Sequence, residues 1–357
     1  MKSTFVFGAF GLPFYIAAAL AVTPCDPSDP TFVCGLMHAE DLVRLPETRW
    51  VVASQINLDR GNPPTNFRFG PLEAIKIDTR EVRRLYPTAE STVDWDGKLY
   101  QDCSAPPETL SPVGLNVRPL GEGKFRLFVD SHGGRESVEV IDITLSGERF
   151  RTTWRGCVRL VPELGVWPNG VAPLPDDGIV VSGYNVAIWR PGRGWTKVEG
   201  FKGARPGESS GKNARDISFA NGVEVSPDGL WVFIADSPMK SVIRVPVSGR
   251  AQQTVLKLDF LPDNLRWGED GRLYVTGPTL SEGWSEAQER ECVALPICDR
   301  GFAIAQINPD TLTSKEIFRS DGIKGAFGDS STALQVGDHF WIGTARGDRV
   351  AILPLKP

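Results

Sequence analysis

A repeated hairpin is the feature that most constrains the fold of this 357-residue chain. In both copies, at 167–182 and 219–236, an Asn-Gly pair is followed by apolar alternation, a Pro-Asp turn and a second strand. Asn-Gly and Pro-Asp are turn signals, and apolar alternation is typical of strands with one buried face. Repetition of such hairpins predicts radial repetition around an axis.

Further runs typical of strands, bounded by Gly, Pro, Asp or Asn, extend this pattern along the chain. They are 50–54, 125–130, 138–143, 179–182, 230–235, 241–245, 273–276 and 340–344. Pairs of runs recur about every 40 to 50 residues, the period of propeller blades with four strands each, so the chain holds about six blades. We predict an all-β, six-bladed β-propeller with a central metal-containing tunnel, formed by residues 22–357 as one domain.

The first 21 residues have the pattern of a secretory signal peptide. Lys2 precedes an apolar stretch over 5–20, and an Ala-Leu-Ala sequence ends at Ala21. Cys25 raises the alternative of a lipoprotein anchor, but residues 22–24 lack the small side chains that such a signal needs. Elsewhere the chain has no apolar run long enough to span a bilayer. We expect a secreted or periplasmic protein, cleaved near Ala21, with no membrane insertion after cleavage.

All six cysteines follow the predicted cleavage point, and an even number in an exported chain predicts disulfides. Cys292 with Cys298 is the favoured local pair, and Cys25 with Cys34 is the next; other connectivities remain open. A thiol zinc cluster is the competing interpretation. The absence of a C-x-x-C spacing and the presence of only three histidines argue against it.

Charge and composition limit the partners. The net charge is −5, spread without long charged runs, so nucleic acid is not an expected partner. The 37 glycines and 28 prolines are scattered, as expected for many tight turns. Segment 200–216 has no apolar period and is interpreted as a long loop, and 280–300 as a short helix plus a loop stapled by Cys292 and Cys298. Both could border the mouth of a pocket, and a plain surface role is the alternative.

Four motifs resemble the paraoxonase/arylesterase group and, more broadly, the SMP-30/gluconolactonase/LRE-like and strictosidine-synthase-like six-bladed propellers. The motifs are His-Ala-Glu-Asp-Leu-Val at 38–43, Asp-Ser-His-Gly-Gly-Arg-Glu-Ser-Val-Glu-Val at 130–140, the hairpin at 219–229, and Pro-Asp-Asn at 262–264. They are short and spaced over most of the chain. The resemblance implies the propeller fold and a site on its axis.

The resemblance implies a calcium ion at the bottom of the tunnel, held by residues from different blades. Matched one by one, the implied ligands are Glu40, Asn169, Asn221, Asp263 and Asn264. Carboxylate and amide oxygens suit a hard cation such as calcium, although another divalent cation is possible, and the lack of histidine argues against zinc. Each motif alone is a common turn or a solvated pair; their joint order predicts the metal site.

A second calcium site is only half present in the motifs. Asp41 matches a carboxylate that helps to hold a second, structural calcium in paraoxonases. Gly170 stands where those enzymes carry another carboxylate. The sequence therefore gives weak support to a second ion.

The implied chemistry is hydrolysis of a lactone or activated ester, in which a metal polarises the carbonyl and a base activates water. His132 matches the second histidine of the paraoxonase dyad and is the predicted base or proton relay. Val113 stands where the first histidine is expected, so Asp263 or Glu40 is the alternative base. His38 and His339 are interpreted as packing or turn residues. A G-x-S-x-G motif, expected of many serine hydrolases, is absent from the sequence.

Two other functions remain open. Val113 favours a non-catalytic propeller that binds a ligand or protein and uses calcium only structurally. A strictosidine-synthase-like lyase or isomerase is the third hypothesis. Among substrates, 10 tryptophans, 18 phenylalanines and the position of Trp167 beside Asn169 favour a hydrophobic or aromatic lactone over a sugar lactone.

Overall fold

A computed structural model describes residues 22–58, 67–68, 70–132, 134–165, 167–201, 203, 218–249, 252–280, 291–292 and 295–355. Within these ranges the chain forms 27 strands and one 3-10 turn, Pro162–Leu164. Twenty-five of the strands form six antiparallel blades, and the predicted six-bladed propeller is confirmed.

In blades 1 to 5 the four main strands follow one another in chain order from the propeller axis outward. Blade 1 contains β2 (Leu42–Arg44), β3 (Trp50–Ser54), β6 (Leu72–Lys76) and β7 (Val82–Tyr86). Blade 2 contains β9 (Pro112–Gly121), β10 (Lys124–Ser131), β11 (Ser137–Ser146) and β12 (Arg149–Arg159), with β8 (Thr92–Val93) added in parallel at its edge. Blade 3 contains β13 (Val171–Pro173), β14 (Ile179–Val181), β15 (Ala187–Arg190) and β16 (Gly194–Lys197).

Blade 4 contains β17 (Ala220–Val225), β18 (Trp231–Asp236), β19 (Ser241–Pro246) and β20 (Thr254–Lys257). Blade 5 contains β21 (Leu265–Trp267), β22 (Leu273–Pro278), β23 (Phe302–Asn308) and β24 (Thr313–Ser320). Blade 6 contains β25 (Ser330–Val336), β26 (His339–Thr344), β27 (Arg349–Pro354) and β1 (Phe32–Cys34). A separate hairpin joins β4 (Asn57–Leu58) to β5 (Phe67–Arg68).

The innermost strands form a closed ring. Each of β2, β9, β13, β17, β21 and β25 contacts the innermost strand of the next blade, and β25 contacts β2. Blade 6 combines three strands from the end of the chain with β1 from its beginning, and Phe32 lies opposite Ala351 in that pairing. The first and last parts of the chain therefore close the propeller together.

The apolar core lies between neighbouring blades. Val52 and Leu72 of blade 1 pack with Leu127 and Val129 of blade 2, and comparable clusters join the other pairs of blades. Residues on the two faces of each inner strand therefore serve different interfaces, as the period of two requires. This packing fixes where the beginning of each inner strand lies.

Three disulfides tie loops to the propeller. Cys25–Cys34 and Cys292–Cys298 confirm the two predicted local pairs, and Cys103–Cys157 joins the segment before β9 to β12. The predicted leader, 1–21, and most of the predicted loop at 200–216 lie outside the described residues, as does 281–290. Among the residues that are described, no helix has the length and apolar character needed to cross a membrane.

Candidate functional site

Polar residues collect at one end of the propeller axis, where the innermost strands begin. They come from four blades: Glu40 precedes β2, Asn169 precedes β13, Asn221 lies in β17, and Asp263 and Asn264 precede β21. We call these five residues the oxygen cluster. All five were predicted from the sequence as metal ligands, and the propeller brings them to the same end of its axis.

Two glycines allow the strands of the oxygen cluster to approach one another. A Cβ added to Gly170 would lie 3.1 Å from the Cα of Gly222, and one added to Gly222 would lie 2.6 Å from the Cα of Asn264. The Gly222 N–H also donates a hydrogen bond to the carbonyl oxygen of Asp263 at 3.0 Å. The Asn-Gly pairs are therefore close-approach positions as well as turn signals.

The second Asn-Gly pair lies inside its strand rather than ahead of it. The pairing of β17 with β18 is irregular between Ala220 and Val223, which brackets Asn221 and Gly222. An extra residue at such a bulge redirects the neighbouring side chains. The bulge thus places Asn221 at the tunnel within a strand whose other residues pack in the core.

Four oxygens of the oxygen cluster are buried and accept no hydrogen bond from the part of the chain that the structure describes. They are Glu40 Oε2, Asn169 Oδ1, Asn221 Oδ1 and Asp263 Oδ1. The fifth residue, Asn264, donates through Nδ2 to Glu40 Oε1 at 2.8 Å. Each unsatisfied buried acceptor costs about 1–3 kcal/mol, so four at one place call for a cation or other donors.

The two carboxylates of the oxygen cluster repel each other. Burial raises the pKa of Glu40 well above its usual value, and the negative charges of Asp41 and Asp263 raise it further. Burial, followed by the charges of Asp329 and Asp41, raises the pKa of Asp263 in the same way. A bound cation would favour the ionised form of both groups.

The donor set fits calcium. It offers two carboxylates and three amides, all through oxygen, which is the chemistry that calcium prefers. Within the described ranges no group of three or more His, Cys, Asp and Glu side chains is placed to hold a metal.

A second polar cluster lies further along the same strands. Arg266 of β21 forms ion pairs with Asp41, which precedes β2, and with Glu224 of β17, its Nη1 lying 3.0 Å from Glu224 Oε1. Asn116 of β9 donates to Glu224 Oε1 at 3.2 Å. We call Asp41, Asn116, Glu224 and Arg266 the arginine cluster. It fills the axis of the propeller beyond the oxygen cluster.

Every N–H of the Arg266 guanidinium is used. Besides Asp41 Oδ2 and Glu224 Oε1, its donors reach the carbonyl oxygens of Leu42, Leu265 and Leu115 at 3.0, 2.8 and 2.8 Å. The residue is only 6% exposed. Asp41, the candidate ligand of a second calcium, is thus paired with an internal guanidinium.

His132 lies in a buried position at the end of β10. Its side chain is 0% exposed, and its Nδ1 lies 2.5 Å from Glu136 Oε2. The imidazole also stacks on Trp167, with ring centroids 4.3 Å apart. Since Trp167 precedes Asn169 by two residues, the imidazole is tied to the strand that carries a member of the oxygen cluster. A histidine held by a carboxylate in this way has a fixed orientation.

The remaining candidates from the sequence lie in the strands and loops around the axis. Val113 is a buried residue of β9, 2% exposed, so an apolar side chain occupies the position of the expected first histidine. His38 accepts a hydrogen bond from the Gly347 N–H at Nδ1, 3.1 Å away. His339 is exposed and pairs with Asp338.

Three groups near the axis have no clear signal in the sequence. Asp130 is fully buried, both of its carboxylate oxygens lack a partner among the described residues, and burial raises its pKa well above the usual value. Arg300 and Asp329 form a buried ion pair, with Arg300 Nε 3.0 Å from Asp329 Oδ1. By contrast, the partner of His132 could have been predicted from the sequence, because Glu136 lies four residues after it.

Comparison with known sequences gives one short match. Protein STRICTOSIDINE SYNTHASE-LIKE 6 and STRICTOSIDINE SYNTHASE-LIKE 7 of Arabidopsis thaliana are each 32% identical to the chain over 66 residues. That match spans 18% of this chain and 18% of each relative. Family models give no match. The predicted resemblance to strictosidine-synthase-like proteins is confirmed over these 66 residues.

Solved propellers resemble the fold at low identity. A periplasmic gluconolactonase of Pseudomonas aeruginosa has a TM-score of 0.45 and 11% identity, covering 89% of both chains. A luciferin-regenerating enzyme gives 0.47 and 10%, covering 90% of this chain and 91% of its own. The Cps50 (Swd1) propeller domain of Myceliophteria thermophila gives 0.48 and 10%, covering 91% and 99%. Likeness at this level does not separate an enzyme from a scaffold.

Proposed function

We propose that the chain is an exported, calcium-dependent hydrolase of lactones or activated esters. The observation that supports it is the oxygen cluster, where four buried oxygens from four blades lack hydrogen-bond donors within the described ranges. Such a set of buried acceptors destabilises the folded protein unless a cation is bound. Glu40, Asn169, Asn221, Asp263 and Asn264 would hold it.

Calcium, when bound, would supply a Lewis acid that polarises a substrate carbonyl and stabilises the developing oxyanion. The residues around it have separate tasks. Asn264 donates a hydrogen bond to Glu40 Oε1, and this bond fixes the orientation of Glu40 Oε2 as well. The closely packed glycines fix the separation of the strands, so the ligands are positioned before substrate arrives.

His132 is the proposed proton acceptor for the attacking water. Glu136 fixes its Nδ1, and stacking on Trp167 fixes the plane of the ring. A histidine with this support is suited to take a proton and later return it to the leaving group. Asp263 is the second candidate base, because its carboxylate belongs to the oxygen cluster and its Oδ1 accepts no hydrogen bond from the described residues.

Aromatic residues support an apolar or aromatic substrate. Trp167 precedes Asn169 by two residues, and Phe219 precedes Asn221 by two residues. Phe219 also contacts Tyr184 edge to face, with ring centroids 5.4 Å apart. Aromatic surfaces this near to the ligands suit a hydrophobic lactone or aryl ester better than a polar sugar lactone.

Export is supported by the disulfides as well as by the predicted leader. All six cysteines are paired within the structure. Disulfides of this number form and persist in oxidising compartments. We therefore assign the protein to the periplasm or the extracellular medium.

The test is turnover of aliphatic, aromatic and sugar lactones and of phenyl acetate, measured before EDTA, after EDTA and after calcium is added back. We expect turnover to vanish with EDTA and to return with calcium. Asp263→Asn should lower it about 100-fold or more at saturating substrate, because a charged ligand is lost. Asp310→Asn, an exposed aspartate in the turn after β23, is the matched control.

One observation favours a different function. The buried Val113 removes the first histidine of the family dyad, which suits a ligand-binding propeller with structural calcium. If calcium binds tightly and no ester or lactone is turned over, that second function replaces the hydrolase. Turnover of a substrate without consumption of water would instead indicate a lyase or isomerase.

A further inference from the structure

A cavity lies at the other end of the propeller axis, beyond the arginine cluster. Its volume is about 570 Å³. The residues that line it come from blades 1, 2, 4, 5 and 6, near the later parts of the innermost strands. It is therefore separated from the oxygen cluster by the buried guanidinium of Arg266.

The floor of this cavity carries a carboxylate with one oxygen available to a ligand. Glu224 is 6% exposed, and its Oε1 accepts hydrogen bonds from Asn116 Nδ2 and Arg266 Nη1 at 3.2 and 3.0 Å. Its Oε2 accepts none from any residue that the structure describes. A carboxylate nine-tenths buried, with one oxygen left unused, is suited to receive a donor from the cavity.

The guanidinium at the floor does not compete for that oxygen. All five N–H groups of Arg266 are already used within the protein, so it has none left for a ligand in the cavity. The lining contains two arginines and three glutamates, and Asp41 lies behind Arg266. The field at Glu224 Oε2 therefore favours a positive group.

The walls are largely apolar. Val43, Val117, Trp267, Leu334 and Pro46 line the cavity above Glu224. At the rim, Arg44 and Glu269 pair with each other, so that the arginine there is neutralised. A ligand with one charged end and an apolar body matches this distribution of groups.

We propose that the cavity binds a small organic ammonium ion, with its N–H groups on Glu224 Oε2 and its apolar body along Trp267 and the aliphatic wall. One free carboxylate oxygen is too few to hold calcium, which takes six to eight oxygen ligands. The ammonium site is separate from the oxygen cluster, and it stands whether or not the protein hydrolyses lactones.

The experiment is isothermal titration of calcium-saturated protein with 2-phenylethylammonium chloride, and with neutral 2-phenylethanol as the matched probe. We expect saturable binding of the ammonium ion and at least about tenfold weaker binding of the alcohol, because the charge-assisted hydrogen bond is lost. No saturable binding of the ammonium ion, or equal binding of both probes, would overturn the proposal.

Glu224→Gln is the decisive variant. Glutamine can still accept hydrogen bonds from Arg266 and Asn116 through its carbonyl, but it presents an N–H group where Oε2 lies. We expect at least about a tenfold loss of affinity for the ammonium ion. Glu148→Gln, an exposed glutamate that pairs with Lys76, should bind as the unaltered protein does. Equal binding by Glu224→Gln and Glu148→Gln would show that the ion sits elsewhere.

A second measurement keeps the proposal testable if Glu224→Gln does not fold. Burial raises the pKa of Glu224 to about 7, opposed by Arg266 and the Asn116 hydrogen bond and reinforced by the charge of Asp41. Below that pH, binding of an ammonium ion must release a proton from Glu224. Titrations at pH 6 in buffers of different ionisation enthalpy should therefore show proton release. Binding without proton release at that pH would contradict the role of Glu224.

Discussion

The oxygen cluster and the arginine cluster are built from similar residues a few positions apart, yet their charges are balanced differently. In β17, Asn221 belongs to the first and Glu224 to the second. At the arginine cluster, Arg266 supplies five N–H donors to the surrounding oxygens. Within the described ranges, four oxygens of the oxygen cluster have no donor.

The arginine cluster contains a permanent cation, Arg266, whereas the oxygen cluster is suited to a cation that exchanges with solvent. A guanidinium belongs to the fold, so the arginine cluster is complete as soon as the chain has folded. The oxygen cluster lacks such a group, and its buried acceptors favour an ion from solution. An ion held by these acceptors would have coordination positions left for a substrate, whereas Arg266 has no N–H left to donate.

The largest expected effect comes from removal of the internal cation. Arg266→Met leaves Asp41 and Glu224 buried without their partner, which should lower the free energy of unfolding by about 3–5 kcal/mol. Urea unfolding of calcium-saturated protein measures it. Arg190→Met, which breaks a pair with the half-exposed Asp176, should cost less than about 1 kcal/mol. Similar losses of stability in both variants would mean that the buried ion pairs of Arg266 contribute no more than an exposed pair.

Bound calcium should raise the free energy of unfolding by an amount slightly smaller than the loss expected for Arg266→Met. At a calcium concentration of 100 times the Kd, the gain in the free energy of unfolding is about 2.7 kcal/mol. Asn221→Ala should reduce this gain, yet without calcium it should not destabilise through the lost oxygen, since that oxygen has no donor within the described ranges. Thermal unfolding with EDTA and with calcium measures both quantities.

Asn308→Ala is the control for that experiment. Its Oδ1 accepts a hydrogen bond from the Asp310 N–H at 3.0 Å in an exposed turn, so loss of the side chain should leave the gain from calcium unchanged. A calcium gain that is unaltered in Asn221→Ala would remove Asn221 from the ligand set.

The pH dependence of stability should also depend on calcium. The pKa values of Glu40 and Asp263 are raised in the calcium-free fold, from ordinary values of 4.5 and 3.8. Above those ordinary values the unfolded chain loses these protons while the folded chain keeps them. Stability without calcium should therefore fall as pH rises until both groups are ionised in the folded chain.

Saturating calcium should reverse that slope, because the ion favours the ionised carboxylates. Unfolding free energies from pH 4 to pH 8, with EDTA and with calcium, compare the two conditions. Parallel curves would show that calcium does not bind at Glu40 and Asp263.

The smallest expected effect concerns the support of His132. Glu136→Gln removes the negative partner of Nδ1 and should lower kcat about tenfold while KM changes little. Glu122→Gln, an exposed residue in the turn after β9, is the control. An unchanged kcat in Glu136→Gln would show that Glu136 does not support His132 in turnover.

The fold and the oxygen cluster could be predicted because both leave local signals. The hairpin at 219–236 shows its strands, its turn and its Asn-Gly pair within 18 residues, and β17 and β18 lie inside it. Its Asn-Gly pair and Pro-Asp-Asn at 262–264 are also motifs by which the sequence resembles known six-bladed propellers. The positions of Asn221 and Asp263 in the structure follow from these signals.

Arg266 could not be predicted in the same way. It stands between Leu265 and Trp267 in a short strand, where an arginine is normally solvated. Its partners Asp41 and Glu224 are 225 and 42 residues away, so only the closed ring brings them together. The pairing of Cys103 with Cys157 is likewise fixed by the fold of blade 2 rather than by spacing.

The closure of blade 6 imposes an order on folding. A ribosome releases β1 first and β27 last, yet these two strands are hydrogen-bonded neighbours. Blade 6 is therefore complete only when the first and the last strands of the described chain are both available to pair. Until synthesis reaches residue 351, Phe32 has no strand to pair with, and the edge of blade 6 stays open to other chains. Aggregation through this open edge should therefore be most frequent before β1 and β27 have paired.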